Sequence, residues 1–151
     1  YLGDQYIIVH RPDARGTVWV EGDEIHVAGG PEHLSRRLGD WMRKQARSEI
    51  SATTHAKAAL IEKSPTRITI RDTRTRWGSC SFKGCLSFSW RLVMAPPNVL
   101  DYVVAHEVAH LAHMNHSPEF WSTVDTLTDD AKSGRAWLGE NGSALHRIGQ
   151  P

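Results

Sequence analysis

The chain has 151 residues, 40% of them apolar, with a formal net charge of +1 when the histidines are neutral. That length fits one compact domain with a real core and leaves two domains cramped. No run approaches the eighteen or so apolar residues of a membrane helix, no positively charged start leads into an apolar signal segment, and two cysteines make no disulfide framework, so a soluble, cytoplasmic protein is expected.

The charge is unevenly placed. Residues 1–97 carry 15 basic and 10 acidic side chains, and residues 98–151 carry 3 and 7. The basic surplus concentrates between Lys63 and Arg76, a stretch able to attract phosphate or an acidic partner, although a solvated charged face is the commoner outcome.

Residues 1–30 alternate short β-prone runs with turn formers: Tyr6 to Val9, P-D-A-R-G, Thr17 to Val20, E-G-D-E, then Ile25 to Val27. This pattern predicts a small antiparallel meander, with Trp19 as a packing residue and no chemical role. Pro31 then suits the first position of a helix, and Leu34, Leu38, Trp41, Met42, Ala46 and Ile50 keep one apolar stripe at helical spacing. A backing helix over 31–63 follows, with S-A-T-T as a point of interruption. Its opposite face carries Arg36, Arg37, Arg43, Lys44 and Arg47, read first as solvated charge and second as a weak nucleic-acid footprint, since no aromatic residues interleave with them.

A sheet is expected over 66–95. R-I-T-I-R alternates as a strand, and T-R-T-R-W-G-S-C-S connects it to the clearest strand of the chain, Cys85 to Val93. There Leu86, Phe88, Trp90 and Leu92 point inward while Ser87, Ser89 and Arg91 stay wet. Such a strand could take an extended peptide by edge pairing. Cys80 and Cys85 flank an S-F-K-G turn, where buried or half-buried free thiols are favoured over a cross-hairpin disulfide.

The remainder, 97–151, holds the active-site helix and the C-terminal helices. Its helix begins at Pro97 or Asn98, with Asp101 in the first turn, and carries H-E-V-A-H. His106 and His110, four apart, project from one helical face and can grip one metal ion, zinc being the expected one. Glu107 is offset from both rings, which suits a general base acting on a metal-bound water. His116, six residues past His110 and beyond a helix end expected at Met114 and Asn115, is the candidate third ligand, its direction fixed by a new helix capped by Ser117 with Pro118 at its first position. Phe120, Trp121, Val124 and Leu127 form an apolar stripe to pack beneath the site, and the tail reads as a final helix or two, broken near Gly139 to Gly142.

R-W-G-S-C-S, W-R-L-V-M-A-P, D-Y-V-V-A-H-E-V-A-H and N-H-S-P-E-F-W, in that order, resemble the YgjP-type metal-dependent hydrolases, small zincin metallopeptidases related to the SprT-like group. The resemblance implies an α+β zincin-like fold, a twisted and mostly antiparallel sheet with a long backing helix and an active-site helix. It further implies a Zn2+ centre of His106, His110 and His116, Glu107 as general base, peptide or protein substrates, and the strand from Cys85 as the substrate rim. In zincins of the Gly-turn type a glycine stands where this chain has His113, which makes His113 an alternative ligand or, with Tyr102 and Arg91, a candidate oxyanion donor. A SprT-like, nucleic-acid-associated processing module and a hydrolase of non-peptide amides are the rival readings.

Overall fold

A computed structural model describes residues 1–149; Gln150 and Pro151, the end of the segment assigned to 97–151, lie outside the described residues. The described residues form an α+β architecture of two three-stranded mixed sheets and four α-helices.

The first sheet contains β1 (Ile7–Arg11), β2 (Val18–Glu21) and β3 (Glu24–Ala28), in the order β1-β3-β2. β2 and β3 form a hairpin whose turn uses Gly22 at φ 61, a left-handed position that glycine takes without penalty. β3 is the buried strand, from Ile25 to Ala28, and so takes the centre. The loop from 12 to 17 lets β1 pair with its other edge in parallel, Ile7 opposite Glu24 through Arg11 opposite Ala28. The expected antiparallel meander is therefore corrected to a mixed sheet.

A 3-10 turn, Pro31–His33, leads into α1 (Leu34–Leu60), which runs uninterrupted through S-A-T-T. Thr54 is fully buried and the Thr53 hydroxyl donates to the Glu49 carbonyl at 2.8 Å, so tertiary packing along Ala46, Ile50, Thr54 and Ala58 overrides weak propensity. Glu62 at φ 54 closes the helix end, with the Lys63 N–H donating to the Ala58 carbonyl at 2.9 Å. Part of the arginine face is engaged internally: Arg36 and Arg43 pair with Asp40, Arg43 also with Asp72, and Arg37 donates to the Ala28 carbonyl.

The second sheet contains β4 (Arg67–Arg71), β5 (Gly78–Cys80) and β6 (Cys85–Ser89), in the order β4-β6-β5. β6 is parallel to β4 and antiparallel to β5, so this sheet too is mixed where a mostly antiparallel one was expected. The expected strand to Val93 stops at Ser89, whose hydroxyl accepts from the Arg91 N–H at 3.3 Å and caps a 3-10 turn, Trp90–Met94. Every residue from Trp90 to Val93 is buried, which overturns the alternation read there. Arg91 is 0% exposed: its guanidinium donates to Asp72 and to the Ile148 carbonyl, the latter at 2.9 Å, and lies 4.8 Å from the Trp90 ring centre.

α2 (Pro97–Ala109) is buried around most of its circumference, and Leu86 and Phe88 of β6 join its valines and the α1 stripe in one core. Each fully buried side chain of this kind stabilises the fold by ~1.5–3 kcal/mol. Asp101 lies past the first turn; it pairs with the buried Lys57 at 2.7 Å and accepts from the Thr128 hydroxyl at 2.7 Å. Because Lys57 also donates to the Leu127 carbonyl, this network ties α1 and α2 to the end of α3 (Pro118–Leu127). α4 (Ala131–Arg147) runs continuously through Gly139 and Gly142, so the expected break is absent. Gly134 and Gly142 instead let α4 approach closely, a Cβ at the first coming within 2.6 Å of Tyr102 and at the second within 3.3 Å of Trp77. No helix among the described residues is long and apolar enough to cross a membrane.

Candidate metal centre

His106 and His110 lie at the C-terminal end of α2, on one side of a buried helix that cannot rotate without exposing Val104 and Val108, both 0% exposed. The helix ends at Ala109, earlier than the expected Met114 and Asn115. The chain leaves it through a tight turn, with N–H groups of Leu111, Ala112 and His113 donating back to Val108 and Ala109. No left-handed residue is used there, so the turn needs neither glycine nor Asn115 at positive φ. Ser117 caps α3 as read from the sequence, its hydroxyl accepting from the Phe120 N–H at 3.2 Å, with Pro118 at the first position.

That cap holds His116 over the helix end. One ring nitrogen from each of His106, His110 and His116 lies within 4.8 Å of the others, and the Nε2 atoms of His106 and His116 stand 3.3 Å apart. Two imidazoles on one tetrahedral zinc, each at ~2.0–2.1 Å, would have their nitrogens about 3.3–3.4 Å apart, so the donor set fits a metal ion. The Nδ1 of His110 is 2.9 Å from the His113 carbonyl, which turns its Nε2 toward the cluster. Phe120, fully buried, floors all three rings at centroid distances of 5.0, 4.4 and 4.9 Å, and Trp121 stacks on His116 at 5.9 Å.

Burial favours the neutral, lone-pair-donating form of the two helix histidines, His106 and His110. Burial, helped by the neighbouring His110 and His116, pushes His106 down to about 4, and burial with His116 lowers His110 against the opposing His113 carbonyl. Glu107, 7% exposed, is raised to about 7 by burial, against the pull of Arg76. A carboxylate near neutrality can both take and return a proton.

Gly78, Ser79 and Cys80 of β5 complete a pocket of about 290 Å³ with His106, Glu107, His110, Met114 and His116. The sequence reading missed this wall, having taken W-G-S-C as a connection. Three residues are too few for alternation to register, and only the glycine marks a close approach: a Cβ at Gly78 would lie 2.6 Å from Glu107 Cγ. β6, expected to be the substrate rim, is the central strand with both edges paired; the edge beside the pocket belongs to β5. Cys80 and Cys85 are free and half-buried, as anticipated, and burial together with Glu107 pushes the Cys80 thiol up to about 11, far from a reactive thiolate. Of the oxyanion candidates, Arg91 is removed by its burial against Asp72. His113 contributes its carbonyl to His110, and the Tyr102 ring packs edge-on to His106 at 6.1 Å.

Residues 1–141 match the family model described as YgjP-like, metallopeptidase domain. The chain belongs to the YgjP-like metallopeptidase family. It is accordingly a metal-dependent hydrolase, and in this YgjP-like chain the three histidines are a group able to hold the metal ion. No curated protein and no solved structure matches the chain.

Proposed function

We propose that this chain is a zinc peptidase, a single zincin-like domain in which His106, His110 and His116 hold the metal and Glu107 is the general base. The observation that carries the proposal is the convergence of three imidazoles, their ring nitrogens within 4.8 Å of one another, beside the buried carboxylate of Glu107. Three histidines with an open fourth position are the donor set of a catalytic rather than a structural zinc, which closes all four positions. When bound, the metal supplies a Lewis-acid charge that acidifies water and polarises a carbonyl.

Glu107 does the proton work. Its carboxylate accepts the proton of the attacking water and returns it to the leaving amine as the peptide bond breaks. Burial keeps bulk water from competing, and Gly78 leaves the space the carboxylate occupies. The free edge of β5 offers main-chain groups to an extended peptide, with side chains facing the pocket.

The test is metal analysis paired with a peptide-library digest of the wild type, Glu107→Gln and His106→Ala. Glu107→Gln is expected to keep zinc and lose cleavage by at least ~10²-fold, and His106→Ala to lose both. Wild-type cleavage by Glu107→Gln would sink the assignment of the base; zinc retained at full stoichiometry by His106→Ala would sink the ligand set.

A further inference from the structure

Arg67, Thr69 and Arg71 alternate along β4 onto the face opposite Ile68 and Ile70. The strand register sets Ser87 of β6 beside Thr69 and Ser79 of β5 beside Ser87, so three hydroxyls run in one row across the sheet. With Arg76 these residues line an open groove of about 630 Å³. Its wall contains no carboxylate, and among the described residues none of Arg67, Arg71 or Arg76 forms an ion pair. Asp72, next in sequence, is engaged by Arg91 and Arg43. Arg76 acts on Glu107 at the metal centre, while Arg67 and Arg71 are a local surplus in a chain of net charge +1.

The groove and the candidate metal centre meet across the edge strand β5, whose Ser79 and Cys80 line both, and a peptide paired along that edge sends alternate side chains to either face of the sheet. Guanidiniums flanked by hydroxyl donors recognise carboxylates. At ~3.3 Å per residue, Arg67 and Arg71 are about 13 Å apart, the separation of same-face side chains four residues apart on an extended peptide. No aromatic ring lines the groove, so it offers no platform on which nucleobases would stack.

We propose that this arginine groove selects peptide segments bearing Asp or Glu side chains next to the bond to be cut, an inference that rests on the peptidase reading above. The binding test uses the full chain carrying Glu107→Gln, with fluorescein-labelled Glu-Ala and Gln-Ala repeat peptides of equal length and a 20-nucleotide single strand. Affinity for the Glu-Ala peptide should exceed that for the Gln-Ala peptide roughly tenfold at low salt, as two or three exposed charge pairs allow, and the gap should close with added salt. Adding Arg67→Glu and Arg71→Glu, both at exposed positions, should abolish the preference while the circular dichroism spectrum and zinc content stay unchanged.

Equal affinity for the two peptides overturns the proposal, as does a preference that survives the double charge reversal. Tighter binding of the oligonucleotide would make the groove a nucleic-acid surface. In a peptide-library digest by the zinc-loaded enzyme, Asp and Glu should be enriched beside the cut sites, and the enrichment should vanish in Arg67→Glu/Arg71→Glu. Cleavage without that enrichment overturns the groove and leaves the peptidase; Glu-Ala preference without any cleavage overturns the peptidase and leaves an acidic-peptide site.

Discussion

The Nδ1 of His110 lies 2.9 Å from the backbone carbonyl of His113, so the residue standing where Gly-turn zincins have glycine orients a proposed ligand through its main chain. The His113 side chain is not among those that line the pocket. His113→Ala should therefore hold zinc within about threefold of wild type, whereas His110→Ala should weaken it at least ~100-fold, as loss of a direct ligand does. Chelator competition measures both. A large loss in His113→Ala would make that imidazole a ligand and displace His116 from the proposed set.

Gly78 allows the proposed base, Glu107, to be tested apart from the proposed metal ligands. An added Cβ would come within 2.6 Å of Glu107 Cγ and 2.8 Å of Oε1, closer than real Cβ atoms approach, so the carboxylate must move. Displacing a general base by about 1 Å costs on the order of 10²-fold in rate. Gly78→Ala should lower kcat by that order and leave zinc stoichiometry at the wild-type level. Unaltered kcat would mean that Glu107 does not act from the position it holds.

What the sequence disclosed and what it concealed divide along a physical line. His106, His110 and the Ser117 cap were legible because helical period and capping are local, encoded within a few residues. The parallel pairing of β1 with β3, and of β4 with β6, was not, because both depend on which strand is most buried, a property of the whole chain. Arg91 shows the same limit. Its alternation with Leu86 and Phe88 placed it in water, yet a partner 19 residues upstream, Asp72, draws it inside. β5 escaped for want of length, and with it the wall that faces Glu107.

The glycines of α4 make opposite predictions. A Cβ at Gly134 would fall 2.6 Å from the Tyr102 Cβ, backed by the buried face of α2, so Gly134→Ala should destabilise the fold by ~1–3 kcal/mol through overpacking. At Gly139 nothing lies within 4 Å, and Gly139→Ala should stabilise by ~0.5–1 kcal/mol because glycine loses the most backbone entropy in a helix. Urea midpoints of the metal-free variants decide both. Destabilisation by Gly139→Ala would argue that α4 is broken there after all.

Arg91 and Asp72 set the acid response of the region that leads into β5. The Arg91 hydrogen bond, aided by the charges of Arg91 and Arg43, holds the Asp72 carboxyl below its ordinary 3.8. A carboxylate depressed in the folded state stabilises it at pH values above the unfolded pKa, and that contribution is lost as pH falls through the folded pKa. Asp72→Asn would leave a fully buried guanidinium without its counter-charge, a change worth ~3–5 kcal/mol when both partners are buried. Here Asp72 is 50% exposed and Arg91 keeps the Ile148 carbonyl and the Trp90 face, so ~1–3 kcal/mol is expected between pH 5 and 7. The gap between wild type and variant should narrow as pH falls below the ordinary 3.8 and on through the depressed folded value, where the native carboxylate protonates. Urea unfolding at a series of pH values measures it, and a gap that stays constant into acid would show that the Arg91 contact does not depend on the charge of Asp72.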